Sequence, residues 1–541
     1  MGKIIETKID RFDGGISNNS RDRAGNVARM ASNFDVFPFP RKMTPYRNTE
    51  SGDENASTRR KRNFLVGLRT GTTYSLYGIG VVSGEVYAGF EYKNLTADAG
   101  GMANAAWTAA GNSTSGAPNF NLWVYYRKTG LAYFARNGSH IGTYTVASGA
   151  LASDTAQALT YTEIGQGVVH SKDDILYIPW YNNAGGAGAK SGILKNNNGS
   201  WSNTALALPD HLIPTSISEY GNFLAIGCAP ASGIGNSRIF LWDRNETVTT
   251  LSESIDAGSG SLIILEEIDG ELVWISQKGG VVTSFSTLPN TTTSHRDRVY
   301  FRRLIGNVGV KFFELHSDRA GGINSTSIPA YKQKIDNRLF FQMIIQYNGS
   351  VRDGVWSIGR SSPSAPFVLV NEQKTNNNTA LATGDTLNGF IKVGDFLLQS
   401  YTSGGTYGLT KTVISSDNNY SENSIYESKT FDGSQAGQGT DATHYKDLIE
   451  VAVTTESMVT NGQIVLAYQV DENIGTSTWT TIFTNTTNDS ISHVANNVES
   501  LGAALPKSYK QIAFRILSTG GAEVTGLAFK EDVIGRKYIA D

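Results

Sequence analysis

The chain has 541 residues, with 46 Lys and Arg against 49 Asp and Glu and a formal net charge of -3. This length exceeds what one hydrophobic core usually serves, so several domains or a repeat architecture is expected. The balanced charge excludes an overall field that would steer the protein to nucleic acid or an anionic membrane, so such contacts are at most local.

The apolar segments are short. The longest, such as residues 261–265, fall well below the roughly 20 residues that cross a bilayer, and the N-terminus lacks a signal-peptide core. We therefore expect a soluble protein that is made without a Sec-type signal and does not insert into a membrane. Cys228 is the single cysteine, which excludes an internal disulfide and a thiolate metal cluster, and we expect it to be a small buried apolar residue.

Residues 1–60 differ in style from the rest of the chain. Arginines are spread among polar residues, and Pro38, Pro40 and Pro45 favour extended backbone because proline fixes φ and restricts its predecessor. The pattern predicts an extended N-terminal arm.

Residues 61–425 repeat a polar tight turn that lies between two strand-like segments. Gly, Asn and Asp pairs of this kind supply the positive φ that two-residue hairpin loops need. The turns are Asp173-Asp174, Gly221-Asn222, Asp269-Gly270, Asp336-Asn337 and Gly394-Asp395.

Successive turns are separated by about 48 to 67 residues, which is typical of propeller blades with some enlarged connections. Two earlier units are predicted at residues 64–77 and 122–134. We therefore expect a β-propeller of about seven blades, and a chain of separate sandwiches remains the alternative.

Residues 426–541 contain longer strands with period-two alternation, in the segments 447–453, 463–470, 479–483, 510–517 and 523–529. Their length and regularity predict a C-terminal jelly-roll-like β-sandwich. The whole chain is therefore expected to be all-β.

Residues 295–303 interleave basic and aromatic side chains, a pattern that occurs on surfaces that bind nucleic-acid backbones. A strand with solvated arginines on one face explains the alternation equally well. Asp297 and Glu314 are available as partners for these arginines.

Catalytic motifs are missing from the sequence. We find no nucleophile elbow, phosphate-binding loop or zinc-binding helix, and the seven histidines are dispersed. A propeller glycosidase would need paired carboxylates, and the candidates Asp173 with Asp174 and Glu266 with Glu267 are better explained as solvated carboxylates at turns and along strands. The prediction is a non-enzymatic protein without metal or cofactor.

Aromatic residues make up 10% of the chain. Trp180 and Tyr181 are candidates for a glycan-stacking platform, because aromatic faces bind sugar rings. Packing between neighbouring blades is the favoured alternative.

Two segments carry a resemblance to a known class. Residues 12–17, residues 30–36 and then Pro38, Pro40, Met43, Pro45 and Arg47 resemble the opening of tailed-bacteriophage virion proteins, in which a short arm precedes a propeller. Residues 424–433 and 445–451 are similar to the junction between propeller and sandwich in such proteins, and residues 467–471, 479–480 and 512–516 resemble the sandwich.

The resemblance implies a structural tail protein, namely a nozzle, tube-end or baseplate-type subunit of the virion. Such a subunit is expected to be made in the host cytoplasm, to form a homo-oligomeric ring and to contact other virion proteins. Two alternatives stay open, a host-recognition protein that binds a surface glycan and a propeller enzyme that degrades envelope polysaccharide. The expected assembly contacts of the arm are Phe12, Phe34, Phe37, Phe39, Arg41 and Arg47.

Overall fold

The structure is a computed structural model. It describes residues 3–12, 16, 28–32, 34–35, 41–45, 49–51, 64–70, 73–81, 88–95, 108–112, 122–136, 140–145, 150–158, 163–182, 190–231, 235–247, 251, 253–278, 297–317, 332–347, 350–360, 362–375, 386–393, 396–403, 406–413, 424–432, 444–496 and 505–535.

The all-β prediction is confirmed. In the described residues the only helical element is a single 3-10 turn, Asp471–Asn473, and all other regular elements are strands. No helix within these ranges is long and apolar enough to cross a membrane.

Seven antiparallel repeat units follow one another along the chain, each a meander of strands. Unit 1 consists of β6 (Phe64–Thr70), β7 (Thr73–Val81), β8 (Ala88–Leu95) and β9 (Thr108–Asn112). Unit 2 consists of β10 (Trp123–Tyr126), β11 (Leu131–Arg136), β12 (His140–Thr145) and β13 (Ala150–Ala158). Unit 3 consists of β14 (Glu163–Ile164), β15 (Val168–His170), β16 (Ile175–Asn182), β17 (Lys190–Asn197) and β18 (Ser200–Ala207).

Units 4 and 5 are four-stranded sheets as well. They consist of β19 (Leu212–Tyr220), β20 (Phe223–Pro230), β21 (Asn236–Trp242) and β22 (Glu253–Ser259), and of β23 (Ser261–Ile268), β24 (Glu271–Lys278), β25 (Asp297–Ile305) and β26 (Val308–Ser317).

Units 6 and 7 include strands that join other parts of the chain. Unit 6 is the first part of a nine-stranded sheet, and the fourth strand of unit 7 is β5 from the N-terminal segment. The strands are β27 (Lys332–Ile335), β28 (Arg338–Gln342), β31 (Val355–Gly359) and β32 (Val368–Gln373), and then β33 (Thr386–Val393), β34 (Phe396–Ser403), β35 (Thr406–Val413) and β5 (Thr49–Ser51).

The predicted hairpin turns of units 3 to 6 join β15 to β16, β19 to β20, β23 to β24 and β27 to β28. Asp174, Asp269 and Asp336 each have φ of 50°, and Gly221 has φ of 57°. These conformations are the ones that two-residue turns need. The predicted turn at 394–395 lies outside the described residues, although β33 and β34 pair on either side of it.

Consecutive repeat units lie side by side. The first long strands are close neighbours from β16 to β19 to β23, then β23 lies beside β28 and β28 beside β33. In units 1 to 3, β9 lies beside β13 and β10 beside β15. Strand β6 of unit 1 lies beside β33 of unit 7, so the first and last units are also neighbours.

Strands from both ends of the chain form two further sheets, which together we call the terminal unit. One sheet has the order β1, β42, β37, β40, and the other runs β2, β36, β41, β38, β39 and continues unit 6 through β2 and β32. The strands are β1 (Lys3–Ile9), β2 (Ala28–Ser32), β36 (Ser424–Ser428), β37 (Tyr445–Thr455), β38 (Gln463–Val470), β39 (Thr480–Asn485), β40 (Ser492–Asn496), β41 (Ile512–Thr519) and β42 (Val524–Gly535).

The segment predicted as an arm, residues 1–60, thus contributes strands to both sheets of the terminal unit and to unit 7. It also forms the short pair β3 (Phe34–Asp35) and β4 (Thr44–Pro45). The predicted boundary between residues 425 and 426 falls inside β36. A last short pair, β29 (Ile345–Tyr347) and β30 (Ser350–Arg352), lies within unit 6.

The apolar core is continuous through the terminal unit and its neighbours, and it breaks into smaller clusters elsewhere. One cluster contains Phe12, Phe34, Phe431 and Phe529 together with residues of units 5 and 6. Three smaller clusters lie between neighbouring units, namely units 2 and 3, units 3 and 4, and units 4 and 5. Cys228 is fully buried in one of these, and burial raises the pKa of its thiol.

Candidate functional site

Side chains in and near the first-hairpin turns connect consecutive repeat units from unit 2 to unit 7. The hairpin turns of this chain are rich in Asp, Asn and Gly because these residues tolerate a positive φ. The pairing of the flanking strands places the turns of neighbouring units next to one another. We call this set the turn belt. Its links between units 2 and 7, in chain order, are Tyr126 Oη to the Asp174 carbonyl (2.6 Å), Lys172 Nζ to Asn222 Oδ1 (2.7 Å), Ser218 Oγ to Glu266 Oε1 (2.6 Å), Lys334 to Glu267, and Lys392 Nζ to Asp336 Oδ2 (3.7 Å).

An arginine joins units 3 and 4 within the belt. Arg244, in the connection after β21, lies with its Nε 2.7 Å from Asp173 Oδ2 and its Nη1 2.7 Å from Nε2 of the buried His170. A guanidinium can only donate, so His170 Nε2 accepts this hydrogen bond. Arg244 also donates to the carbonyl of Asn222, and one side chain therefore holds two adjacent turns.

Burial has a strong effect on the tyrosine beside this arginine. Tyr177 Oη donates to Asp173 Oδ2 at 3.0 Å. Desolvation, and then the neighbouring carboxylate, raise the pKa of Tyr177 well above its ordinary value. The phenol therefore stays protonated and acts as a donor at neutral pH.

A second arginine joins units 5 and 6 in the same way. Arg360 follows β31, and its Nε and Nη1 lie 2.9 Å from Asp269 Oδ2 and 2.7 Å from Glu271 Oε1. Its side chain is only 3% exposed. Burial disfavours the charged form, but the hydrogen bonds that the guanidinium donates to Asp269 and Glu271 outweigh this effect and raise the pKa of Arg360. The guanidinium also lies 4.8 Å from the ring centroid of Phe367.

A lysine connects the first strands of three units. Lys332 of β27 lies 2.8 Å from Glu266 Oε2 of β23 and donates to the carbonyls of Leu265 and of Ile217 on β19, the latter at 2.8 Å. Burial lowers the pKa of the Lys332 amine, and the carboxylate of Glu266 acts against that shift. Such a buried cation with three acceptors fixes the spacing of units 4, 5 and 6.

The predicted carboxylate pairs have structural partners. Asp173 binds Arg244 and Tyr177, Glu266 binds Ser218 and Lys332, and Glu267 binds Lys334. Asp173, Glu266 and Glu267 are ion-paired and partly buried, where the sequence predicted solvated groups, whereas Asp174 is exposed as predicted. No cluster of three or more His, Cys, Asp or Glu within the described ranges is arranged to hold a metal ion. The belt can therefore lock neighbouring units and present a polar face of mixed charge.

The basic and aromatic segment at 295–303 forms β25 from residue 297 onward, and its arginines have partners in unit 5 and at the end of β22 in unit 4. Arg298 Nη1 lies 3.0 Å from Glu314 Oε1, and Arg303 Nη1 lies 3.2 Å from Glu271 Oε2. Arg302 donates to Ser276 and to the carbonyl of Ser259. The strand interpretation accounts for these contacts, and Glu314 is a partner as expected.

Trp180 and Tyr181 lie on β16, and both are buried, at 4% and 3% exposure. Trp180 packs against Gly192, where an added Cβ would meet its ring at 2.8 Å. Burial raises the pKa of Tyr181. Neither ring offers a free face for a sugar, so glycan stacking here stays a prediction that requires these rings to become exposed.

The described arm residues divide into two classes. Phe12 and Phe34 are buried within this chain, with Phe12 edge-on to Tyr426 at a centroid distance of 5.4 Å, and Arg41 is exposed. The two rings therefore contribute to the chain's own core, and their role in contacts with another subunit stays a prediction. Phe37, Phe39 and Arg47 lie outside the residues whose side chains are described.

Sequence reasoning missed Arg244, Arg360 and Lys332. Their longest links reach partners 74, 91 and 115 residues away along the chain, respectively, so no local pattern marks them. One sequence signal could have identified these three residues. Each is a lone basic residue at the start of a strand or just after the end of one, in a chain whose hairpin turns are acidic.

No family model matches the chain, and no curated protein matches it.

Proposed function

We propose that this chain is a structural, non-enzymatic subunit of a tailed-bacteriophage virion, at the tail nozzle, tube end or baseplate. In this proposal the seven repeat units are the blades of a β-propeller, and the terminal unit is a β-sandwich. The chain acts as a rigid block, and copies of it assemble into a homo-oligomeric ring. The ring contacts other virion proteins.

The propeller is supported by the order and neighbours of the units. Seven antiparallel meanders follow one another, each beside the next, and β6 of the first lies beside β33 of the last. The last sheet takes its fourth strand, β5, from the segment just before the first sheet. When a segment that precedes the first unit pairs with a strand of the last unit, the two ends of the repeat array are joined in one sheet, which closes a circular array of blades.

The observation that carries the virion assignment is how the structure combines the two segments that resemble tail proteins. Residues 12–47 and 424–516 are far apart in sequence, yet Phe12 packs on Tyr426 and β2 pairs with β36. The resemblance therefore falls on one packed body. A coincidental match at two unrelated sites would not need to produce contacts between them.

One surface suits contact with another subunit. The hairpin between β25 and β26 ends in Ile305, Val308 and Val310, which are 49%, 64% and 38% exposed. Exposed apolar side chains grouped at one tip are typical of interaction surfaces. In the ring, this tip contacts the neighbouring copy.

The test is to purify virions by density gradient and to identify their proteins by mass spectrometry. We expect the chain in the particles at the copy number of a ring, and particles that lack it would overturn the proposal. A complementing copy with Val308→Asp should be incorporated less than one with Lys311→Ala, a control at the same hairpin. Strong binding of the isolated protein to host glycans, without incorporation, would instead favour the receptor-binding alternative.

A further inference from the structure

Three arginines converge where the terminal unit meets unit 6. β2, β36 and β41 are adjacent strands, and Glu427 of β36 lies directly opposite Arg515 of β41. The register of β2 shifts between Ala28 and Met30, which brings Arg29 beside the same carboxylate. Arg29 Nη2 lies 3.1 Å from Glu427 Oε2, and this pair is nearly buried, at 9% and 12% exposure.

An indole ring lies between two of these cations. The guanidinium carbons of Arg29 and Arg515 are 5.3 Å and 5.5 Å from the ring centroid of Trp479. The attraction of a ring face for a guanidinium stabilises such an arrangement. It holds both cations at fixed positions without neutralising their charge.

The third arginine increases the positive charge of the cluster. Arg352 of β30 interacts electrostatically with Glu427, Arg515, Asp353 and Arg29. Burial, followed by the effect of the neighbouring arginines, lowers the pKa of Arg352 and of Arg515 despite the opposing effect of Glu427. Three guanidiniums thus lie against two carboxylates, and Asp353 also accepts the amide of Thr375 at 3.2 Å.

One donor in the cluster has no acceptor. Within the described part of the chain, Nε of Arg515 is buried and makes no hydrogen bond. A buried donor at a charged group is costly when it is left unpaired. Among the described residues, the cluster therefore combines three guanidiniums and two carboxylates with one buried donor that makes no hydrogen bond.

We infer that the cluster of Arg29, Arg352 and Arg515 beside Trp479 binds a small oxyanion. The fork of a guanidinium matches a carboxylate or a phosphate group. Arg29 and Glu427 are nearly buried, so the proposed ligand is a single small group rather than a protein surface. The group is a free phosphate or the acidic group of a sugar acid, and this inference does not rest on the proposed function.

The experiment is titration calorimetry on the full chain with sodium phosphate, with sodium glucuronate and with neutral glucose, all against sodium chloride at equal ionic strength. We expect phosphate or glucuronate to bind with one site per chain and glucose not to bind. Arg515→Gln should weaken that binding about tenfold or more, because hydrogen bonds to charged groups contribute at this level. Arg127→Gln, a change at an exposed arginine in a turn, is the matched control and should bind as the wild type does.

Glu427→Gln gives a second test if Arg515→Gln does not fold. It keeps all three arginines and removes one competing negative charge, so it should tighten binding of the same anion. The inference is overturned if neither anion binds above the chloride background, or if Arg515→Gln and Glu427→Gln both bind like the wild type. The ligand that binds, phosphate or glucuronate, identifies the source of the oxyanion.

Discussion

Between the two sheets of the terminal unit, Phe431, Phe514 and Phe529 pack with centroid distances of 4.9 to 6.5 Å. Between neighbouring repeat units, smaller apolar clusters such as the one around Tyr177 and Trp242 are accompanied by charged side chains that span the junctions, as Arg360 does with Asp269. Aromatic burial is non-directional and adapts to two large facing sheets. Ion pairs and hydrogen bonds set distance and angle, so they suit seven small units that must each hold the same spacing.

The N-terminal segment belongs to both regions, so its removal should have the largest effect. Deleting residues 1–51 removes β1 and β2 from the terminal unit and β5 from unit 7. We expect loss of cooperative unfolding and rapid proteolysis, because three sheets would have unpaired edges. Deletion of residues 536–541 is the control. Native-like melting of the 1–51 deletion would contradict the role of these strands.

Phe12→Ala tests the aromatic region. The ring is 4% exposed and packs edge-on against Tyr426, so its loss should lower the free energy of unfolding by about 3–5 kcal/mol. Ile4→Ala, on the exposed face of β1, should cost less than about 0.5 kcal/mol. Chemical denaturation of both variants measures the difference, and equal effects would argue against burial of Phe12.

Arg360→Gln tests the ionic region. It leaves Asp269 and Glu271 without their main partner, and we expect a loss of about 2 kcal/mol, since both carboxylates retain some access to water. Lys8→Ala, which removes an exposed pair with Asp10 at 3.8 Å, should change stability by less than about 0.5 kcal/mol. If the two variants unfolded alike, the links between repeat units would not depend on these ions.

His493 should give the smallest effect, and one that depends on pH. It is buried between Thr455 Oγ1 at 3.0 Å and Asn485 Nδ2 at 2.7 Å, and burial lowers the pKa of its ring. The folded state therefore binds a proton less readily than the unfolded state, so this contribution to stability is complete above pH 6.5 and is lost as the pH falls below it. Melting temperatures between pH 7.5 and 5 should fall less for His493→Gln than for the wild type. A parallel decline in both proteins would contradict the prediction.

The parts of the fold that depend on local chemistry were predictable from sequence. Positive φ at Asp174, Gly221 and Asp269 is a property of the turn itself, and the pairs at these positions identified the first hairpins. The alternation in residues 463–470 likewise matches β38. Both signals lie within ten residues of chain.

The pairings between distant segments were not predictable. Residues 424–428 look like a junction, but they form β36, because β2 and β41 are available on either side. Thr49–Ser51 contains no strand signal strong enough to stand alone, and it becomes β5 only by pairing with β35. The partners of Arg360 and Lys332 are set by which units become neighbours, which one sequence does not encode locally.

The pairing of β5 with β35 also imposes a delay during translation, because β5 is synthesised long before its partner strand. Thr49 pairs with Thr412, so about 360 residues must be made before the partner strand exists. At about 5–20 residues per second, translation of that interval takes roughly 20 to 70 s. During this time β5 has open backbone groups, and its short length of three residues limits the surface that it can offer to other nascent chains. Brevity at this position therefore protects the protein while it is still being made.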